Sequence, residues 1–472
     1  MARPDVAIRA AGGGRWRGRV AALAYLAAFA LAIGVNLNPL YRSKPQQMTH
    51  DPLLSVSDSA AADAAAGAGA GGAGGAGAVS GGQVSAADVA ADAEEGQESL
   101  QAGLTIVNTS SDPGAVCLDG SPPAFNWHPG RGTGRNKWIL YLEGGAWCMD
   151  TAHCIDRSFS NFGSSSKMGH WMLQGLLSSS RKTNPGFFNW NMVYIRYCDG
   201  ASFIGNVDEP IRDHEGKPQI YMRGRRVFNA ILSHLLAHHS MRSASHILLS
   251  GCSAGGLAAL LLCDSLADRM RSLRENEELE GVGRGGEKGG VVVKCMSDGG
   301  YFLDARDIGG RHFLRETMFH RVAAFHNVTL NPHCIASQPP VNTSQCFFPQ
   351  NFLPFLHTPF FILNSLYDSW QIAHSFASFT VFPEKAWHSC RMSLQGCNQE
   401  RLDLIHAYRD EMVEKVSPLL LSNRSAPPVR RLLAAASSES SANGAYLVSC
   451  RAHCMAMGPM WHGSTAPRIH NK

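Results

Sequence analysis

The sequence predicts an α/β fold with a mostly parallel central sheet flanked by helices. Three observations carry this. Short apolar runs rich in Val, Ile, Leu and aromatics alternate with longer helical stretches, as in strand–helix–strand units. One run, HILLSGCSAGGLAALLL from His246 to Leu262, passes from strand to helix through a Gly-x-Ser-x-Gly turn. The residues able to do acid–base chemistry gather just past the ends of predicted strands, where open α/β sheets place their sites.

With 472 residues there is room for one large α/β domain and appendages. Residues 1–19 form a basic tail with Arg3, Arg9, Arg15, Arg17 and Arg19, and 20–37 is an apolar run broken only by Asn36. Eighteen helical residues reach about 27 Å, enough for a thin bilayer. The arginines stay cytosolic, so the run reads as a signal anchor with the body in the lumen or outside. A cleaved signal peptide is the competing reading, but Asn36 to Lys44 offers no small-residue cleavage site. Residues 38–100, mostly Ala, Gly, Ser and acids, bury too little apolar surface to order themselves and read as a disordered stem. The folded domain is expected over 101–472, with polar surface insertions near 274–290 and 422–444.

All thirteen cysteines lie at or after Cys117, which suits an oxidising compartment, and the odd number leaves at least one thiol unpaired or one intermolecular bridge. Sequons at Asn108, Asn327, Asn342 and Asn423 agree with it. A net charge of +4, without a basic stripe carrying interleaved aromatics, argues against nucleic acid as a partner.

Predicted strands are Trp138 to Leu142, Asn191 to Tyr197, His246 to Ser250, Val291 to Ser297, Thr358 to Asn364 and Ala445 to Ser449. Predicted helices are Met222 to His239, Gly256 to Leu273 and Asn398 to Lys415. Ser253, at the tip of the Gly-x-Ser-x-Gly turn, reads as a nucleophile, with Ala254 N–H able to donate to an oxyanion. The loop Glu143-Gly-Gly-Ala-Trp-Cys148 offers the other oxyanion donors, at Gly145 and Ala146. Asp368 follows a late strand and suits the orienting acid, although it would also cap a helix at Ser369; Asp298 is its rival. His453 comes last, giving the order Ser, Asp, His. Its setting in Cys-x-x-His-Cys admits a metal reading, with His333-Cys334 the only similar pairing; the nucleophile reading needs neither metal nor cofactor.

Several stretches together resemble the plant-type pectin acetylesterases, a family related to the carboxylesterase Notum. They include CLDGSPPAF from Cys117, LEGGAWC from Leu142, RYCDGASF from Arg196, GCSAGGLA from Gly251, KCMSDGGYFLD from Lys294, YDSWQI from Tyr367 and SCRAHC from Ser449. The resemblance implies an α/β-hydrolase-like fold, a triad of Ser253, Asp368 and His453, and an oxyanion hole at Gly145, Ala146 and Ala254. It also implies disulfides Cys148–Cys154, Cys334–Cys346, Cys390–Cys397 and Cys450–Cys454. In one departure, Ala146 stands where plant members usually carry Gly. If that position needs a positive φ, alanine costs on the order of 1 kcal/mol and could misplace an oxyanion donor.

The leading expectation is a membrane-anchored, luminal or extracellular esterase that removes O-acetyl groups from a cell-wall polysaccharide such as pectin. Release of a fatty acyl group from a lipidated protein, and a catalytically silent glycan-binding protein, are the alternatives.

Overall fold

The computed structural model describes residues 86–461, apart from 94, 98, 280–289, 383–384, 422–442 and 459–460. The expected basic tail, signal anchor, first part of the stem, Asn423 and most of both insertions therefore lie outside the described residues. Among the described residues, no helix is long and apolar enough to cross a membrane.

Eight strands form the main sheet: β1 (Leu104–Ile106), β2 (Ala124–His128), β3 (Lys137–Leu142), β4 (Asn191–Ile195), β5 (His246–Cys252), β6 (Val292–Asp298), β7 (Phe360–Ser365) and β8 (Gly444–Val448). Their order is β8-β7-β6-β5-β3-β4-β2-β1. The run from β8 to β4 is parallel, and β2 and β1 add antiparallel at one edge. All six predicted strands are present within a residue or two. The antiparallel pair β1–β2 was not expected, because its three- and five-residue strands carry too short a pattern to read.

Side chains alternate across the sheet as the pleat requires. Trp138, Leu140 and Leu142 of β3 enter one core, while Ile139 and Tyr141 enter the other. The helix Gly224–His238 closes the first core with Val227, Phe228, Ile231, Leu232 and Leu235, an apolar stripe at helical spacing. The helix expected over Gly256 to Leu273 is instead two, Ala254–Leu261 and Cys263–Leu279, interrupted at Leu262. Cys263 at that interruption is bonded to Cys295 of β6.

The last part of the expected stem departs from disorder. Ala86–Ala93 is a helix, and its Asp92 accepts hydrogen bonds from Thr133 Oγ1 (2.6 Å) and Asn189 Nδ2 (2.7 Å). Alanine favours helix strongly, so a composition that buries little on its own orders when one carboxylate finds donors on the body.

Six disulfides hold the domain: Cys117–Cys198, Cys148–Cys154, Cys252–Cys454, Cys263–Cys295, Cys334–Cys346 and Cys390–Cys397. The expected Cys450–Cys454 bond is corrected: Cys454 pairs with Cys252, and Cys450 is the free thiol. Spacing hides this, because the partner is remote in sequence and is brought near only by the parallel order of the strands. Such a disulfide content belongs to secretory or extracellular proteins.

Candidate active site

The chain leaves β3 towards β4 on one side and returns to β5 on the other. The sheet therefore has its switch point between β3 and β5, the place where open α/β sheets put their ligand sites, at the strands' carboxyl ends. Registers align those ends: Leu142 lies beside Gly251, Cys252 beside Asp298, Asp298 beside Leu363, and Ser365 beside Val448. The loops after β3, β5, β7 and β8 consequently meet in one row.

Ser253 stands between β5 and the helix Ala254–Leu261 with φ 59° and ψ −123°, a conformation that L-residues rarely adopt. The surrounding glycines make it possible. A Cβ on Gly255 would lie 2.1 Å from Leu142 O, so only glycine lets the elbow press against β3. Ser253 N–H donates to Asp298 O (2.9 Å) and Ser253 O accepts from Leu257 N, which fixes the turn on both sides.

The structure brings Ser253, His453 and Asp368 into one hydrogen-bonded line. Ser253 Oγ is 2.7 Å from His453 Nε2, and His453 Nδ1 is 2.8 Å from Asp368 Oδ2. Asp368 does both things its sequence position allows: Oδ2 faces the imidazole while Oδ1 accepts Gln371 N–H (2.9 Å) as a helix cap. Its carboxylate is fully buried, whereas His453 keeps a fifth of its side chain exposed (20%). Burial alone pulls the imidazole pKa down. The charge of Asp368 and its hydrogen bond, helped by the charge of Asp298, outweigh that and raise it above 6.5.

Asp298, the rival acid, has another task. Its carboxylate accepts the N–H groups of Met455 (2.9 Å) and Ala456 (2.7 Å), holding the segment just after His453. Burial pushes its pKa up to about 7. Sequence reading placed Asp298 at a strand end but not in this role, because backbone acceptance leaves no residue pattern.

The loop after β3 lies against the elbow: a Cβ on Gly144 would sit 3.0 Å from Ser253 Cβ. Gly145 has φ 155° and Ala146 φ 54°, so the alanine does occupy a position with positive φ. Glu143, which sequence reading passed over, is buried and pairs with Arg196 at 3.0 Å while accepting Tyr197 N–H at 2.9 Å. Ala254 is the first residue of its helix, so its N–H has no acceptor within that helix. Aromatic rings flank the histidine, with Trp370 stacked at 6.2 Å and Phe302 at 6.3 Å.

Of the three cysteines of the metal reading, Cys454 and Cys334 are taken up in disulfides and Cys450 is a free thiol. Cys148 and Cys154, which lie beside the buried His326, are bonded to each other.

The family model described as Pectinacetylesterase matches residues 95–472. Pectin acetylesterase 5 of Arabidopsis thaliana is 36% identical over 373 residues, covering 78% of this chain and 77% of the relative. Pectin acetylesterase 11 of the same plant is 35% identical, covering 78% and 84%. More distantly, the palmitoleoyl-protein carboxylesterase NOTUM of Homo sapiens is 27% identical over 330 residues, covering 67% and 60%. With this match from residue 95 onward, the chain belongs to the pectin acetylesterase family and is a carboxylic ester hydrolase.

Proposed function

We propose that the protein is a serine esterase that removes O-acetyl groups from a cell-wall polysaccharide such as pectin. The observation that carries this is the continuous line Ser253–His453–Asp368, and the names of the plant relatives supply the substrate class. His453 Nε2 takes the proton of Ser253 Oγ as the oxygen attacks the acetyl carbonyl, and Asp368 holds the imidazole in the tautomer that can accept it. The N–H groups of Gly145, Ala146 and Ala254 donate to the oxyanion, and Ala254 adds the positive end of its helix. The protonated His453 then passes its proton to the departing sugar hydroxyl. Water, activated by the same imidazole, releases acetate from the acyl-enzyme.

The disulfides support action in the secretory pathway or outside the cell. Residues 20–37 serve as a type II anchor in this reading, which leaves the domain on the luminal or extracellular face.

The test is hydrolysis of p-nitrophenyl acetate by the full chain from a secretory host, beside Ser253→Ala. Activity in the wild type and none in the variant is expected, followed by acetate release from acetylated pectin. Preference for long-chain p-nitrophenyl esters would replace the polysaccharide reading with fatty-acyl release. Equal inertness of the folded wild type and variant would sink both.

A further inference from the structure

The alanine at position 146 raises a physical question: what holds an L-residue at φ 54° in the loop that carries the oxyanion donors? Two buried side chains answer it. Arg157 donates from one guanidinium nitrogen to Gly145 O (2.7 Å) and from Nε to Phe162 O (2.9 Å), and its Cζ lies over the rings of Phe162 (5.3 Å from the centroid) and Tyr197 (4.8 Å). Tyr197 OH donates to Ala146 O (2.8 Å) and accepts Ser202 N–H (2.9 Å). Two successive carbonyls of the loop are thus each tied to a different buried side chain.

In a trans peptide the C=O and N–H point to opposite sides. Tying Gly145 O to Arg157 therefore directs Ala146 N–H away from the Arg157 side, and tying Ala146 O to Tyr197 does the same for Trp147 N–H. Among the described residues, no acceptor takes up Ala146 N–H. The anchoring is closed on itself. Cys148 at the end of the loop is bonded to Cys154, which lies on the helix Thr151–Ser158 one turn before Arg157. Loop, disulfide, helix and guanidinium form a ring that returns to Gly145.

Resting on the serine-esterase reading above, we infer that Arg157 and Tyr197 are positioning residues for the oxyanion hole: they hold the 145–146 and 146–147 peptides so that the donor at Ala146 is preset despite its positive φ. Neither side chain touches the reacting atoms. Each acts through the orientation of a peptide. Preset donors are what makes such a hole effective, because no reorganisation is left for the moment of reaction.

The experiment compares the full chain with Arg157→Ala, Arg157→Lys and Tyr197→Phe on p-nitrophenyl acetate, with Ser253→Ala alongside. Arg157→Ala is expected to lower kcat by about 10²–10³, the loss found when one oxyanion donor is removed. KM should stay within about threefold, because the effect belongs to the transition state. Inhibition by methylboronic acid, whose tetrahedral adduct puts an oxygen in the hole, should weaken by a similar factor. Added guanidinium, well below denaturing concentrations, should restore part of kcat. Arg157→Lys, with a point charge in place of the two-pronged donor, should fall between. Tyr197→Phe removes one hydroxyl and should lower kcat about tenfold, near the value of one neutral hydrogen bond.

Unchanged kcat in Arg157→Lys and Tyr197→Phe overturns the inference even if Arg157→Ala fails to fold. Unchanged boronate affinity in a variant with lowered kcat overturns it as well, since that pattern belongs to general loosening. If Ser253→Ala is inert while the positioning variants keep wild-type kcat, only this inference falls. An inert wild type, or an active Ser253→Ala, removes the serine-esterase reading and this inference with it.

Discussion

Cys252 and Cys454 are bonded to each other, so the residue before Ser253 and the residue after His453 share one covalent bridge across 202 positions of sequence. The bridge ties β5 to the loop after β8, although β6 and β7 lie between those strands. Removing it by Cys252→Ala with Cys454→Ala should destabilise the domain by about 2–5 kcal/mol, as loss of a native disulfide does. The Ser253–His453 distance should loosen at the same time. Urea titration and kcat for p-nitrophenyl acetate measure the two effects; wild-type values in both would refute this account of the bridge.

The elevated pKa of His453 fixes the direction of the pH profile. In the proposed role of general base the imidazole must be neutral, so kcat/KM should rise with pH along a limb whose midpoint lies above 6.5. For stability the sign is opposite. A raised imidazole pKa adds stability that is fully present below the unfolded value and is lost as pH rises through the folded one. Asp298→Asn removes one of the charges that favour the imidazolium and should move the activity midpoint towards acid. A midpoint below 6.5 in the wild type would contradict the electrostatics described.

Ala146→Gly should be tolerated or favourable. Positive φ costs alanine on the order of 1 kcal/mol, which glycine recovers, less the greater freedom glycine has in the unfolded chain. The expected result is a stability equal to wild type or higher by up to about 1 kcal/mol, with kcat unchanged. A clear loss of kcat would mean that the alanine methyl group itself packs against substrate.

Glu143 and Arg196 form an ion pair whose side chains are only 4% and 2% exposed. Glu143→Gln leaves a buried guanidinium without its counter-charge and should cost about 3–5 kcal/mol. Denaturant unfolding checks it, and a cost below 1 kcal/mol would show that the carboxylate is held neutral by its burial.

The parallel sheet and the three residues of the line were legible because each has a local signature. The elbow carries its glycines, and strand order ranks Asp368 above Asp298 and puts His453 last. Contacts between remote segments left no such mark. The Cys252–Cys454 bridge was misassigned to a neighbour in sequence, since pairing depends on which strands lie together. Arg157 belongs to no motif in the sequence, and only the fold shows that its helix leans back on the loop before it. The ordering of Ala86–Ala93 was hidden for another reason: an Ala-rich composition describes the segment alone and not the donors to Asp92 at Thr133 and Asn189.

The separation of 200 residues between Ser253 and His453 also sets a timetable for synthesis. At about 5–20 residues per second the ribosome needs roughly 10–40 s to proceed from one to the other. During that interval the emerging chain carries Ser253 without its hydrogen-bond partner His453, and the edge strand β8 that precedes His453 does not yet exist. On the serine-esterase reading proposed above, the nascent polypeptide therefore carries no complete hydrolytic site until His453 has been made and β8 has joined the sheet.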